Sequence, residues 1–381
     1  MSSAIKIPGY VIAISEDYKL AAIGYGLKLN VHDLSAEGKL LKSFDLLKDF
    51  EPNKKRSKNP QENADPIVRA IAFSKDNKKI AFGGDDKVLR AWDLSEDKLI
   101  CAKSIPKRVT EMHFDKKDRV VFADKFGDVF RVNLYDGKED VVDEDGESEC
   151  ILGHISTISC MKLDSECKVI VTGDRDEKVR ISRYPDAYNI ITYCLGHKSS
   201  ILGVVFCTQN ILCSGAADGF IKLWSWKESG REVFSIAPCG EGSSDAVIPA
   251  DYHAKTQSVA VLAEGTKAVW IYRLVEAEKR LELVKKVDTV AVPAACKFLE
   301  DGSLLVSFHY SEDNVEGGFT VVSGAGAGEV AKKIEECAPS VASVEEVAKM
   351  EKEFECENMK RTIFPRQRGT EDCEPEAKKA K

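Results

Sequence analysis

Leu152-Gly153-His154 and Leu195-Gly196-His197 are two copies of one phrase, set about 43 residues apart. That interval is the length of one β-propeller blade, a four-stranded unit repeated around a ring. Each copy is followed by an apolar run, an acidic turn and a second apolar run. After the first come Val169–Thr172, Asp174–Glu177 and Val179–Ser182; after the second come Ile211–Ser214, Asp218 and Phe220–Trp224. The pattern extends outward in both directions. Val11–Ile14, Leu20–Ile23 and Leu27–Leu34 form a first unit, and Ile67–Phe73, Ile80–Phe82 and Val88–Trp92 a second that carries the dipeptide Trp92-Asp93. Val109–Phe114, Val120–Phe122 and Val129–Leu134 form a third. Val259–Leu262 with Ala268–Leu274 marks a sixth, and Ala295–Leu299, Leu304–Phe308 and Phe319–Val322 a seventh. Short apolar runs alternating at period two are strands. The expected fold is therefore all-β, a seven-bladed WD40 β-propeller over residues 1–323 with a C-terminal helical and disordered tail. An open ring would expose strand edges, so Ala4–Ile7 is expected to close it as the outer strand of the last blade, beside Phe319–Val322.

Composition suits that architecture. The chain has 381 residues, enough for a ring that needs about 300. No apolar run approaches the roughly 18 residues of a membrane span, and Met1–Tyr10 lacks the apolar core of a secretory signal. Twelve scattered cysteines without a Cys-x-x-Cys pair read as reduced, mostly buried thiols of the cytosol or nucleus. A net charge of −8 argues against a surface that grips nucleic acid everywhere; RNA would be held by a partner or a local patch.

Two segments interrupt the period and are expected to be polar excursions between blades: 41–65, with Lys54-Lys55-Arg56-Ser57-Lys58, and 136–149, with Asp143-Glu144-Asp145. The basic cluster suits a nuclear import signal, so the nucleus is the expected location, with the cytoplasm second. Beyond the ring, 324–342 reads as a flexible linker around Gly324–Gly328. Residues 343–361 read as a helix with a Ser343/Glu346 capping box and a Val344, Val347, Met350, Phe354 stripe, and 362–381 as a disordered tail.

Chemistry is sparse. Gly324–Gly328 follows a strand, but no further strand pattern follows as a cofactor loop requires. No catalytic residue, cofactor site or Cys/His metal spacing is legible, nor is a convergent set of titratable groups for the central channel. His197, Ser214, Asp218 and Trp224 sit where a WD blade places its buried hydrogen-bonded tetrad. The preceding unit offers His154, Thr172 and Asp176, with Ser182 at the Trp position. Its turn, Gly173–Arg180, packs six charges of both signs into eight residues, either a solvated turn with internal ion pairs or an electrostatic contact.

Three stretches, Ala123-Asp124-Lys125-Phe126-Gly127-Asp128-Val129, Thr172–Ser182 and Cys194-Leu195-Gly196-His197, resemble the WD-repeat non-catalytic subunit of the eukaryotic tRNA (guanine-N7) methyltransferase. The resemblance is strongest over units three to five. It implies a scaffold without enzymatic activity or cofactor of its own. Such a subunit forms a heterodimer with a Rossmann-like catalytic subunit that binds S-adenosylmethionine and makes N7-methylguanine in the tRNA variable loop. The tRNA would be held mainly through that partner, with no membrane involved. It further implies a contact surface of Asp176, Glu177, Lys178 and Arg180, with Arg175 and Lys125 beside them. Reversal of Arg180 to Glu is then expected to weaken the partner contact and leave the ring folded. A competing reading is the substrate-receptor propeller of a ubiquitin ligase, whose cue is Trp-Asp-x-Arg; Trp92-Asp93-Leu94-Ser95 lacks the arginine.

Overall fold

The computed structural model describes residues 5–6, 11–50, 67–135, 148–240, 242–243, 245–289, 291–308, 319–322 and 340–341. The basic cluster, the acidic stretch 136–147, the glycine run and the expected helix and tail lie outside them.

Seven antiparallel sheets follow one another in chain order. Blade 1 comprises Val11–Ile14, Leu20–Tyr25, Lys28–Asp33 and Lys39–Asp45, and blade 2 Val68–Phe73, Lys79–Gly84, Val88–Asp93 and Lys98–Ser104. Blade 3 comprises Val109–Phe114, Val120–Asp124, Asp128–Val132 and Ser148–Gly153; blade 4 Ile158–Leu163, Val169–Asp174, Lys178–Arg183 and Ile190–Leu195. Blade 5 runs Ile201–Phe206, Ile211–Ala216, Ile221–Ser225 and Arg231–Ile236; blade 6 Val247–His253, Ser258–Ala263, Ala268–Val275 and Arg280–Asp288. Blade 7 has three strands among the described residues, Pro293–Phe298, Leu304–Phe308 and Phe319–Val322. The first strand of each blade lines the axis and the last lies outermost.

Second strands are covered on both faces by neighbouring blades, which is why Val120–Ala123, Ile211–Ser214 and Ser258–Ala263 are buried at every position. A separate apolar cluster fills each gap, including Ile12, Ile23 and Tyr25 of blade 1 against Leu305 of blade 7 and neighbouring Leu299. That cluster packs the last blade against the first. Ile5–Lys6 pairs with Ser340–Val341 rather than with Phe319–Val322 as expected, so the two ends meet in a two-stranded ladder of their own. The first interruption is also shorter than its polarity suggests. Lys39–Asp45 is the outer strand of blade 1, and Phe44, Leu46 and Phe50 are buried against Phe82 and Trp92. Aromatic area outweighs the charges between those residues. Likewise Ser148 and Glu149 belong to the outer strand of blade 3, where Glu149 pairs with Arg131.

The first strand carries a bulge at one recurring place in blades 2 to 5 and 7, between Val68/Ala70, Val109/Glu111, Ile158/Cys160, Ile201/Gly203 and Pro293/Ala295, and two residues further along in blade 6, between Pro249/Asp251. A bulge bends the strand and re-aims the next side chain. In blades 2 to 5 and 7 the residue after it is thereby in register from blade to blade.

Candidate partner-binding surface

Blade 5 shows what the Leu-Gly-His phrase does structurally. Trp224 Nε1–H donates to Ser214 Oγ at 2.7 Å, Ser214 is 2.8 Å from His197 Nε2, and His197 Nδ1 is 2.9 Å from Asp218. The chain of donors runs from indole to hydroxyl to imidazole to carboxylate, so each buried polar group has a partner. Gly196 is required because a Cβ there would lie 3.3 Å from the Trp224 ring and 2.8 Å from Glu232. Burial pushes the Asp218 carboxyl up, but hydrogen bonds from His197, Lys198 N–H and Phe220 N–H outweigh it and hold the group below its usual range. The stability this supplies is present above the ordinary carboxylate pKa near 4 and lost below it.

Blade 4 solves the same problem differently. Thr172 Oγ1 is 2.7 Å from His154 Nε2, and His154 Nδ1 is 2.9 Å from Asp174 Oδ2. Asp174, not Asp176, closes this network. Asp174 Oδ1 also accepts the N–H groups of Asp176 and Lys178, shaping the turn. Equal spacing from Ser214 and Thr172 points to Asp176, but the turns of the two blades are the same length, and Asp174, at the end of the second strand where blade 5 has Ala216, supplies the carboxylate instead. Ser182 leaves the indole's place empty, and Arg180 fills it. Its Nε donates to Ser182 Oγ at 3.0 Å, and its terminal nitrogens donate to Gly153 O at 3.0 Å and Ala187 O at 2.9 Å. The guanidinium thus bonds the glycine of the phrase that Trp224 packs against in blade 5. Arg180 is 8% exposed. Of the six residues expected at a partner surface, it alone lies inside the blade, and its acceptors are carbonyls and a hydroxyl rather than a carboxylate.

Lys125, Arg175, Asp176, Glu177 and Lys178 are all exposed, and they share one rim. On this rim the turn after each second strand donates to the loop entering the first: Asp85 N to Ile67 O, Lys125 N to Arg108 O, Arg175 N to Thr157 O and Ala217 N to Ser200 O, at 2.9–3.2 Å. Among the described residues the side chains of Arg175, Asp176 and Glu177 form no hydrogen bond or ion pair. Blade 2 provides the contrast, since Asp86, also four residues before its arginine, pairs with buried Arg90 at 2.6 Å. In blade 4 the arginine has turned inward to Ser182, and Asp176 faces outward. The turn therefore presents charges that its own blade does not neutralise.

Two neighbouring features carry no obvious sequence signal. Lys107, Arg108, Lys125 and Arg175 form a basic strip: Lys107 Nζ lies 4.5 Å over the ring of exposed Phe126, and Arg108 is the main cause holding the Lys125 ammonium below the usual lysine range, with burial and Arg175 adding to it. Gly127, at φ +106°, permits this turn, because a Cβ would lie 2.4 Å from Ser156 O. The second feature is the outer edge of blade 4, where Tyr188, Ile190, Ile191, Tyr193 and Leu195 are exposed. Leu195 stands opposite Lys178 in the ladder, so apolar edge and charged turn are continuous. A contiguous exposed apolar patch rimmed by charge is the mark of a protein contact. The stretch could be noticed only as an apolar run without alternation on an outermost strand.

The channel along the axis is a cavity of about 700 Å³ and does hold a convergent titratable set, which the sequence did not reveal: Glu111, His113, Lys162, Asp251 and Lys297. Glu111 accepts Met161 N–H at 3.0 Å and pairs with Lys162; Asp251 accepts Phe298 N–H at 2.9 Å and pairs with Lys297. These groups are engaged with one another across blade gaps. Burial first, and then the Lys162 and Lys297 ammonium groups, push His113 down to about 4, with Glu111 opposing. An unfolded histidine protonates near 6.5, so between these values the unfolded chain binds the extra proton and stability falls as pH falls. Thermal unfolding at pH 7 and 4.5 should show a histidine contribution on the order of 2 kcal/mol. His113→Gln should remove that part of the slope; an unchanged slope would refute the assignment.

Among the described residues no helix is long and apolar enough to cross a membrane, and no group of three or more His, Cys, Asp or Glu side chains could hold a metal ion. The sequence pattern of the family described as the tRNA methyltransferase TRM82 WD40 domain matches residues 30–149 and 139–318. Among curated relatives, the tRNA (guanine-N(7)-)-methyltransferase non-catalytic subunit of Dictyostelium discoideum is 29% identical over 242 residues, 60% of this chain and 48% of that protein. The subunit of the same name from Bos taurus is 26% identical, over 74% of this chain and 67% of its own. That of Meyerozyma guilliermondii is 36% identical over 44% and 42%. The chain thus spans about half the length of the first of these relatives. Solved structures give the fold alone: the propeller of Myceliophteria thermophila Cps50 (Swd1) superposes with a TM-score of 0.62 at 10% identity, covering 83% of this chain and 97% of that one. U3-55K superposes with a TM-score of 0.61 at 17% identity, covering 82% and 91%.

Proposed function

The chain belongs to the tRNA methyltransferase TRM82 WD40-domain family, and on that premise we propose that it is the non-catalytic scaffold of a tRNA (guanine-N7) methyltransferase heterodimer. In this reading it stabilises and positions a Rossmann-like, S-adenosylmethionine-binding catalytic subunit that methylates guanine N7 in the tRNA variable loop. The observation that carries the partner assignment is the blade 4 rim, where Arg175, Asp176 and Glu177 stand unneutralised beside the apolar edge from Tyr188 to Leu195. An apolar patch supplies affinity, and charges of both signs fix register and raise the encounter rate. Lys178 and Lys125 border the same surface. The scaffold contributes no reacting group; its binding energy favours the active arrangement of the partner.

The tRNA is held mainly through the catalytic subunit. A net charge of −8 disfavours wholesale RNA binding, and the basic strip from Lys107 to Arg175 is a local surface suited to phosphates beside the partner. The complex is proposed to act in the nucleus. Affinity purification of the tagged chain from its own cells tests the reading. It should recover a methyltransferase subunit in one-to-one amount; recovery of a ubiquitin-ligase adaptor in its place would contradict it.

A further inference from the structure

The two carboxylates of the channel make the same kind of contact, each accepting a backbone N–H of the next blade and pairing with a lysine there. Glu111 of blade 3 and Asp251 of blade 6 each follow a bulge, that of blade 6 lying two residues further along its strand, and each begins the same triplet, acid-x-His: Glu111-Met112-His113 and Asp251-Tyr252-His253. Lys162 of blade 4 and Lys297 of blade 7 match each other, each standing two residues beyond the residue that follows the bulge of its own strand. The first strands of neighbouring blades belong to separate sheets and share no backbone ladder. At the junction of blades 3 and 4 side chains replace it: Glu111 takes the N–H of Met161, and His113 Nε2 lies 3.0 Å from the Met161 carbonyl. Both backbone groups of one residue in blade 4 are thus held from blade 3. Away from the channel, Tyr184 Oη–H donates to Asp115 at 2.7 Å and pins the same two blades a second time.

This junction is the one beneath the candidate surface. Lys125 belongs to the rim of blade 3, and Arg175–Lys178 to that of blade 4, so the two form one surface only while the blades keep a fixed angle. We propose that Glu111 and His113 are positioning residues of the partner interface, clasping blade 4 to blade 3 so that Lys125 and the Arg175–Lys178 turn meet the catalytic subunit together. The inference rests on the scaffold reading above. The Asp251 clasp, three blades away, has the same chemistry and no part in that surface, which makes it the internal control.

The test measures thermal stability of the free full-length chain and its affinity for the catalytic subunit, in parallel, for Glu111→Ala and Asp251→Ala. Both should lower the melting temperature by similar amounts. Glu111→Ala should weaken partner binding at least tenfold, Asp251→Ala less than twofold, and Glu111→Gln, which keeps an acceptor for Met161 N–H, should recover most of the loss. Equal losses in the two alanine variants, or no loss in Glu111→Ala, would overturn the proposal. If Glu111→Ala does not fold, His113→Ala against His113→Gln decides: alanine should cost about fivefold in affinity and glutamine should restore it, and equal affinities would overturn the clasp. Failure of the unmodified chain to bind the subunit contradicts the scaffold reading instead.

Discussion

Arg180→Glu should unfold the protein more readily, by about 3–5 kcal/mol in urea denaturation, before any question of partner affinity arises. The substitution places a carboxylate where the wild-type guanidinium donates to Gly153 O, Ala187 O and Ser182 Oγ. Two buried carbonyls lose their donor and face a like partial charge, each a loss of about 1–3 kcal/mol. The expectation drawn from the resemblance, a folded ring with a weakened contact, is therefore replaced by a folding defect that would itself lower recovery of the complex. A compensating pair of substitutions should also exist. Blade 5 holds Lys222 and Trp224 at the positions of Arg180 and Ser182. Ser182→Trp alone should destabilise by overfilling the space the guanidinium occupies, whereas Arg180→Lys with Ser182→Trp should recover much of the loss, since the new indole N–H can donate to Thr172 as Trp224 donates to Ser214. A double-mutant cycle reads this coupling directly. An unchanged urea midpoint for Arg180→Glu would refute the buried role.

Asp176→Lys with Glu177→Lys should do the reverse, leaving the ring intact and disabling the contact. Both side chains are exposed and engage no described residue, so the melting temperature should stay within about 2 °C. Charge reversal at a complementary interface should weaken binding of the catalytic subunit by roughly 10- to 100-fold at low salt, a loss of about 1.4–2.7 kcal/mol. The loss should shrink at high salt, where exposed charges are screened. Titration calorimetry at two ionic strengths checks it. Unaltered affinity at both would remove the turn from the interface.

What could be read in the chain, and what could not, follows from the range of each signal. The blade period is local: strand, turn and strand recur within some 40 residues, and second strands buried on both faces announce themselves as apolar runs. His197, Ser214, Asp218 and Trp224 are legible because one blade contains all four. Spacing from Thr172 points to Asp176 in the blade 4 network, whereas Asp174, standing where blade 5 has Ala216, takes that role. Arg180 looked like a surface charge because nothing local says that Ser182 leaves a cavity the guanidinium can enter. The channel groups are harder still, since Glu111, Lys162, Asp251 and Lys297 come from four blades and meet only when the ring closes. The exposure of Ile190 and Leu195 depends on their being outermost, and an apolar run does not carry that information.

As the proposed scaffold, this chain should support methyl transfer without performing it. The most direct measurement incubates variable-loop tRNA and labelled S-adenosylmethionine with the purified chain, with the catalytic subunit, and with both together. Expected are no transfer by the chain alone, weak transfer by the catalytic subunit, and strong transfer by the pair that Asp176→Lys with Glu177→Lys diminishes. Turnover by the chain alone, or equal turnover by the catalytic subunit with and without it, would contradict the scaffold role.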